Sequence, residues 1–378
     1  MVSNAILGSL ALLSLALMLW QWAAAWRFPL HRRAASRSPA PGVTLLKPLK
    51  GCDEATEECL ESWFRQEFNG RVQILFGVAS GEDPVCAIVR RLCAAHGQSD
   101  AQLVVCGPLA GENAKVSQLA QLEKLARHDT LVVSDADVSV PPDFLDNVVA
   151  PLKEANVGLV SCFYRVTDPT TLAMRWEAIA INADFWSQVL QSLSLKPMDF
   201  ALGAVMATGR KQMDEIGGFG ALVNSLADDY QLGNRIARRG YRLAVCPVVV
   251  ECRSGAMGWK AVWNHQLRWA RTIRVCQPLP YFFSILSNAT LWPLLWLALK
   301  PAPAAGAVAG VCLLVRMAAA FDLERRLSRT GAHLVYVWLA PVKDALQVVI
   351  WLLSFLGNRI EWRGIRMRLR RDGTLARI

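Results

Sequence analysis

Asp135-Ala-Asp137 places two carboxylates at alternate positions directly after the apolar run Thr130-Leu-Val-Val-Ser134. At the end of a buried strand such a pair can face one ligand. One carboxylate then meets a divalent ion while the other holds a ribose or a water of the ion's shell, an arrangement suited to a nucleoside diphosphate whose charge must be masked. An Asp-x-Asp triplet also arises by chance or as a helix cap, but Asp83, which follows another apolar run, favours the chemical role. A further acidic pair, Asp228-Asp229, opens a helix that runs through Leu232 and Ile236 to Gly240. Acids there cap the helix and complement its dipole. If Asp228 alone fills that role, Asp229 is left to point into a site.

Trp259 to Arg274 carries Trp259, Trp263, His265, Arg268, Trp269, Arg271 and Arg274, and divides between interfacial anchoring and site formation. The ten cysteines form no CxxC and read as buried or free thiols. No GxGxxG follows the first strand and no GxxxxGK[ST] occurs, so a dinucleotide oxidoreductase and a P-loop nucleotidase lose support.

The elements that must position these groups alternate. Strands are expected at Val43-Thr-Leu-Leu, Val72 to Val78, Gln102 to Cys106, Thr130 to Ser134 and Val157 to Ser161, with helices near 55–66, 84–96, 115–127 and 142–154. Short β-rich runs spaced by amphipathic helices specify an α/β domain with a mostly parallel sheet covered on both faces. Ligands in such sheets collect at the carboxyl ends of the strands. Those ends carry Lys47-Pro48-Leu-Lys-Gly51, Ser80-Gly-Glu-Asp83-Pro84 and Asp135-Ala-Asp137.

Of 378 residues 53% are hydrophobic, which directs attention to membrane segments, and the net charge of +10 is unevenly spread. Residues 1–37 carry +4, residues 38–315 carry −1, and residues 316–378 carry +7. The basicity flanks apolar stretches and is absent from the middle, which argues for a membrane surface over nucleic acid. Asn4 to Trp26 is uncharged and long enough to cross a bilayer, with Trp20, Trp22 and Trp26 at one end. No basic residue precedes this run and arginines follow it, favouring an uncleaved anchor over a signal peptide and a cytoplasmic middle domain. Pro278 to Leu299 and Ala304 to Val315, joined by Lys300-Pro-Ala-Pro, read as a hairpin. In 333–356, Pro341, Lys343 and Asp344 interrupt an apolar stretch, so a re-entrant or interfacial pair of helices competes with a straight crossing.

The ordered set Asp83, Asp135-x-Asp137, Asp229 and His265-Gln-Leu-Arg268-Trp269 resembles the D, D, D, (Q/R)xxRW signature of membrane-bound family 2-like glycosyltransferases. Leu45-Leu-Lys-Pro-Leu-Lys-Gly51, Asp83-Pro84, Asn113-Ala-Lys115, Asp228-Asp229-Tyr230 and Arg268-Trp269 look more specifically like the family 21 ceramide glucosyltransferases. The hopanoid-linked N-acetylglucosaminyltransferases are close relatives of that pattern. The likeness covers nearly the whole chain. Two features depart from it: His265 stands at the first place of (Q/R)xxRW, with Gln266 displaced by one, and both Asp135 and Asp137 are kept where animal ceramide glucosyltransferases have a degenerate motif.

The resemblance implies a GT-A glycosyltransferase domain over 42–256, preceded by the anchor 1–27 and a basic linker 28–41. An interfacial helix 257–277, a transmembrane hairpin 278–320 and an interfacial or re-entrant segment with a basic tail, 321–378, would follow. Pro48, Asp83, Lys115 and Asp135 would bind a UDP-sugar, Asp137 would hold Mg²⁺ or Mn²⁺, and Asp229 would be the general base. His265, Arg268 and Trp269 would contact the diphosphate or acceptor. One anchor, one hairpin and one broken segment are too few to enclose a polysaccharide channel, so transfer of a single sugar to a membrane lipid is expected. UDP-glucose and ceramide are the first choice, with UDP-N-acetylglucosamine and a hopanoid, or polyprenyl phosphate as acceptor, the alternatives. Residues 166–200, with Trp176, Ile179, Phe185 and Trp186 at helical spacing, form either part of an acceptor slot or plain core.

Overall fold

A computed structural model describes residues 2–34, 41–330, 332–362 and 365–377. Arg37, Arg363 and residues 35–40 of the expected basic linker lie outside the described residues. The chain divides into two units. One comprises Leu30–Asp168, Pro197–Gly255 and Gly373–Ile378; the other comprises Met1–Pro29, Pro169–Lys196 and Ala256–Asp372. The stretch expected as one domain, 42–256, is therefore interrupted, because Pro169–Lys196 groups with the apolar helices.

The first unit is built on an eight-stranded sheet. Its strands are β1 (Val43–Pro48), β2 (Val72–Val78), β3 (Asp100–Val105), β4 (Thr130–Ser134), β5 (Val138–Ser139), β6 (Val157–Val166), β7 (Val205–Gly209) and β8 (Arg242–Cys252). Their spatial order is β3-β2-β1-β4-β7-β6-β8-β5. β1 pairs in parallel with both β2 and β4, setting Leu45 opposite Ile74 and Val132. Every residue of β1 and β4 is buried. A strand covered on both faces need not alternate apolar with polar, which is why Leu45-Leu46 and Leu131-Val132-Val133 stand as adjacent apolar residues. β7 runs antiparallel between β4 and β6, and β6 pairs in parallel with β8.

Short helices join the strands: α2 (Thr56–Phe64), α3 (Val85–Ala95), α4 (Ala114–Glu123) and α5 (Phe144–Val149), close to the four expected from periodicity. Asn113 caps α4, its side-chain oxygen accepting from Val116 N at 3.1 Å. Later helices of this unit are α8 (Arg210–Ile216) and α9 (Asp228–Arg238). A Cβ on Gly233 would lie 2.2 Å from Ala201 N, so only glycine lets α9 approach the backbone of residues 200–201 this closely.

The second unit contains α1 (Val2–Arg27), α6 (Leu172–Ile179), α7 (Trp186–Leu193), α10 (Trp259–Cys276), α11 (Pro278–Phe283), α12 (Leu291–Leu299), α13 (Pro303–Ser328) and α14 (Ala340–Phe355). A short hairpin of β9 (Arg359–Trp362) and β10 (Ile365–Leu369) follows. Val2–Arg27, Pro303–Ser328 and Val335–Phe355 are each long and apolar enough to cross a membrane. Their outer faces expose Leu12, Leu19, Leu314 and Leu352, as lipid contact requires. The break in the membrane region falls elsewhere than the sequence suggested. Pro278–Ser287 and Leu291–Leu299 meet at a 56° bend, whereas Val335–Phe355 passes as one candidate span.

The charges of that span are accommodated by partners distant in sequence. A π-helical turn, Ala180–Phe185, lies between α6 and α7 and carries the buried Asp184. Arg316 of α13 reaches Asp344 through Nε at 2.8 Å and Nη2 at 2.9 Å, and Asp184 through Nη2 at 2.9 Å. Lys343 Nζ lies 2.5 Å from Asp184 Oδ2 and 3.0 Å from Asp344 Oδ1. Thr290 Oγ1 donates to Asp344 Oδ2 at 2.6 Å. Two cations and two carboxylates, each no more than 6% exposed, thus form a neutral quartet. Pairing with hydrogen bonds on each member is the condition for keeping such groups out of water.

Candidate active site

At the carboxyl ends of its strands the sheet carries Asp83 and the pair Asp135 and Asp137, and the pair Asp228 and Asp229 opens α9. Asp135 and Asp137 follow β4. The Asp135 amide donates to Ala204 O at 3.2 Å, and the Asp137 carbonyl accepts from Arg253 N at 2.9 Å, so the turn is held from two sides. Pro48 ends β1, buried and in register with Gly77. Asp83 accepts from Gly51 N at 3.0 Å and from Val85 N at 3.1 Å. It therefore fastens the loop after β1 to the start of α3, at a point where Gly51 takes a φ of +67°.

Lys115, in the first turn of α4, is the electrostatic centre. Its Nζ lies 2.7 Å from Asp135 Oδ1 and 3.0 Å from Asp228 Oδ2. Burial opposes its charge, but Asp135 and Asp228 outweigh that and hold the ammonium well above its usual range. Asp228 is engaged with this lysine and makes no side-chain cap for α9, which differs from the role expected of it. Asp229 is half-buried, its Oδ1 accepting from Tyr230 N at 2.7 Å. Burial and then the charge of Asp228 push its carboxyl up to about 6, with Lys115 restraining the rise. A Cβ on Gly203 would sit 2.8 Å from Asp229 Oδ2, so that glycine makes the room Asp229 occupies.

Gly203, the lysine-binding role of Asp228 and any role for Lys47, which stands in the first strand-end motif, were not legible in the sequence. Lys47 is fully buried, donating to Ser134 Oγ at 3.1 Å and Asp135 O at 2.6 Å, with its Nζ 5.3 Å from the Trp63 ring centroid. Burial pushes its pKa down to about 8 despite the acids nearby. The available signal was a lysine inside an otherwise apolar strand, which must find a polar partner.

Asp137 is exposed at the surface of this cluster, and the surrounding protein and then Asp135 push its carboxyl up. A carboxylate pushed up by the charge of its neighbour favours a cation. Among the described residues no group of three or more His, Cys, Asp or Glu side chains is assembled to hold an ion alone. A hard ion such as Mg²⁺ or Mn²⁺ held by Asp135 and Asp137 would take its other ligands from water and phosphate.

In the second unit, α10 carries His265, Arg268 and Trp269. His265 Nδ1 donates to Glu177 Oε1 at 2.7 Å, and Gln266 Nε2 donates to the same oxygen at 2.8 Å. The displaced glutamine and the histidine thus converge on one buried carboxylate of α6, which sequence reasoning did not single out. The His265 ring lies 4.4 Å from that of Trp269, centroid to centroid. Trp176 packs against Trp259 and Trp263, and Phe185 against Trp269, so much of 166–200 is core of this unit.

A sequence model of glycosyl transferase family 21 matches residues 6–375. Ceramide glucosyltransferase 3 of Caenorhabditis elegans is 25% identical over 248 residues, covering 65% of this chain and 53% of that protein. The ceramide glucosyltransferase of Candida albicans is 34% identical over 122 residues, covering 29% of this chain and 22% of that protein. The chain spans about half the length, or less, of these curated relatives. A mannosyltransferase from Pyrobaculum calidifontis, solved in complex with GDP-Man and Mn²⁺, superposes with a TM-score of 0.53 at 21% identity. That alignment covers 92% of this chain and 98% of the other, and the shared fold is the expected GT-A arrangement.

Proposed function

This chain belongs to glycosyl transferase family 21, and from that premise we propose that it transfers one glucose from UDP-glucose to the hydroxyl of a membrane lipid such as ceramide, inverting the anomeric centre. The observation that carries this reading is the half-buried Asp229 beside Asp228, Lys115 and Asp135 at the strand ends, a carboxyl near pH 6 next to a cation that can meet phosphate. The names of the curated relatives support the sugar and the lipid.

Asp229 takes the proton from the acceptor hydroxyl as the oxygen attacks the anomeric carbon. A single base suffices, because the nucleoside diphosphate leaves as a weak base and needs no proton, unlike the leaving sugar of a glycosidase. Lys115 gives up part of its contact with Asp135 to the diphosphate. Pro48 and Asp83 shape the nucleoside end, Asp83 through its hold on Gly51. Asp135 and Asp137 would hold Mg²⁺ or Mn²⁺, and the Pyrobaculum neighbour's Mn²⁺ supports that choice. Bound there, the ion would neutralise charge on the departing diphosphate. For Arg268, Trp269 and His265 we keep the role implied by the motif, contact with diphosphate or acceptor.

The protein sits as a multi-pass membrane protein with the catalytic unit on the cytoplasmic side, the orientation favoured by the arginines following α1 and those after α14.

Purified full-length protein in nanodiscs would be offered UDP-glucose, UDP-N-acetylglucosamine or UDP-galactose with ceramide, a hydroxylated hopanoid or polyprenyl phosphate, and the products read by mass spectrometry. Monoglucosylated ceramide is expected, with Asp229→Asn slower by about 10²–10⁴-fold. Polymer, or exclusive transfer to polyprenyl phosphate, overturns the substrate assignment. Near wild-type transfer by Asp229→Asn removes that residue from the base role.

A further inference from the structure

Beyond Arg268, the carboxyl-terminal part of α10 carries Arg271 and Arg274, two guanidinium groups one helical turn apart with no acid between them. Arg271 Nη1 donates to the backbone carbonyl of Arg359, and Arg274 Nη2 donates to the side-chain oxygen of Asn358. The Arg274 guanidinium also lies 5.6 Å from the Phe355 ring centroid. These partners are neutral, and among the described residues neither arginine pairs with a carboxylate. The Nε atoms of both are buried and without a hydrogen-bond partner. Burial and then the charge of Arg274 push the Arg271 pKa down, and burial pushes that of Arg274 down.

Two like charges at this spacing, partly withdrawn from water and uncompensated, are unfavourable in isolation. The contrast with the rest of the unit is informative. Arg316 and Lys343 are neutralised by Asp184 and Asp344. Interaction of Arg274 with the helix's own carbonyl end accounts for one cation at most. A planar donor fork on each of two adjacent turns matches the oxygens of a phosphate, to which arginine binds bidentately. The location specifies the source of that phosphate. α10 leads directly into the bent apolar pair 278–299 and packs its Trp263 and Leu267 in one cluster with Leu346 and Trp351 of the candidate span 335–355. With those segments in a bilayer, side chains at that boundary would lie at head-group depth.

We propose that Arg271 and Arg274 form a binding site for the phosphodiester of an anionic membrane lipid, separate from the acceptor and from the donor's diphosphate. The site holds a phosphate between the two forks and supplies the charge this corner of the unit lacks. It does not depend on which sugar or acceptor the enzyme uses.

The test uses the full-length protein in a neutral maltoside micelle, titrated with dioleoylphosphatidylglycerol and, in a parallel arm, with inorganic phosphate. Lipid adducts are counted by native mass spectrometry, and melting is followed by tryptophan fluorescence. Phosphatidylglycerol should bind saturably and raise the melting temperature. Arg271→Gln/Arg274→Gln should weaken that binding about tenfold or more, and Arg271→Lys/Arg274→Lys, which keeps charge but loses the fork, should fall between. Arg366→Gln/Arg370→Gln removes the same charge from exposed positions and should leave the binding unchanged. Should the glutamine pair fail to fold, the lysine pair and the exposed pair still decide the matter. Wild-type affinity in the folded glutamine or lysine pair overturns the proposal. So does equal loss in the exposed pair, or saturable protection by inorganic phosphate that phosphatidylglycerol does not exceed.

Discussion

Replacing Arg316 with Met tests whether the buried quartet is a closed electrostatic unit. Arg316 makes three hydrogen bonds of 2.8–2.9 Å to Asp344 and Asp184. Methionine fills similar volume but leaves Lys343 facing two carboxylates, a net charge of −1 among groups at most 6% exposed. Removing one partner from a buried pair costs about 3–5 kcal/mol, most of it the penalty of the stranded charge. At roughly 1.3 °C per kcal/mol for a chain of this size, melting in detergent should fall by roughly 4–6 °C. The sign of the second substitution is the sharper test. Adding Asp344→Asn restores neutrality, leaves Lys343 on Asp184 at 2.5 Å, and keeps an oxygen for Thr290. The double variant should therefore melt above Arg316→Met alone, with a coupling of about 1–3 kcal/mol. The measurement is a double-mutant cycle by tryptophan fluorescence, with size-exclusion elution confirming the folded state. An Arg316→Met variant within about 1 kcal/mol of wild type would mean that unfolded helices find equivalent partners. That result, or further loss on adding Asp344→Asn, would refute the reasoning.

Below pH about 6, kcat/KM should fall tenfold per unit as Asp229 takes a proton and ceases to act as base. Because Lys115 holds that carboxyl down, Lys115→Met should move the acidic limb to higher pH, and a shift to lower pH in the rate profile would contradict the assignment. Chelation should abolish transfer and added Mn²⁺ or Mg²⁺ restore it. Asp137→Asn should require about tenfold more ion, which an ion titration of the initial rate reads directly. Glu177→Ala strands the donors of His265 and Gln266 and should cost about 1–3 kcal/mol in a melting experiment, whereas Glu177→Gln, which keeps an acceptor oxygen, should cost less.

The alternation of strands and helices was legible because burial on both faces favours adjacent apolar residues such as Leu45-Leu46 and Leu131-Val132-Val133, a pattern each short run carries by itself. The acids at the strand ends were legible for the same reason, since the ends of runs are marked locally. Asp228 shows where such reading stops. Its position at a helix start predicted a cap, but Lys115, more than a hundred residues earlier, competes for it with a full charge. Lys343 and Asp344 looked like interruptions of a membrane span because their partners, Asp184 and Arg316, are far away in the chain. The break fell in 278–299 instead, where Asn288 oxygen accepts from Thr290 N and Leu291 N and opens a new helical start.

The amino-acid sequence alone determined the α/β class, the apolar segments, the order of the acidic motifs and the family likeness, because hydrophobic period and motif spacing are properties of neighbouring residues. Tertiary structure decided which charges neutralise which. It joined Lys115 to Asp135 and Asp228, Glu177 to His265 and Gln266, and Arg316 to Asp184 and Asp344, and among the described residues it gave Arg271 and Arg274 no acid. Coulomb energy depends on distance in space and on the removal of water around the pair, and both are set only when remote segments pack.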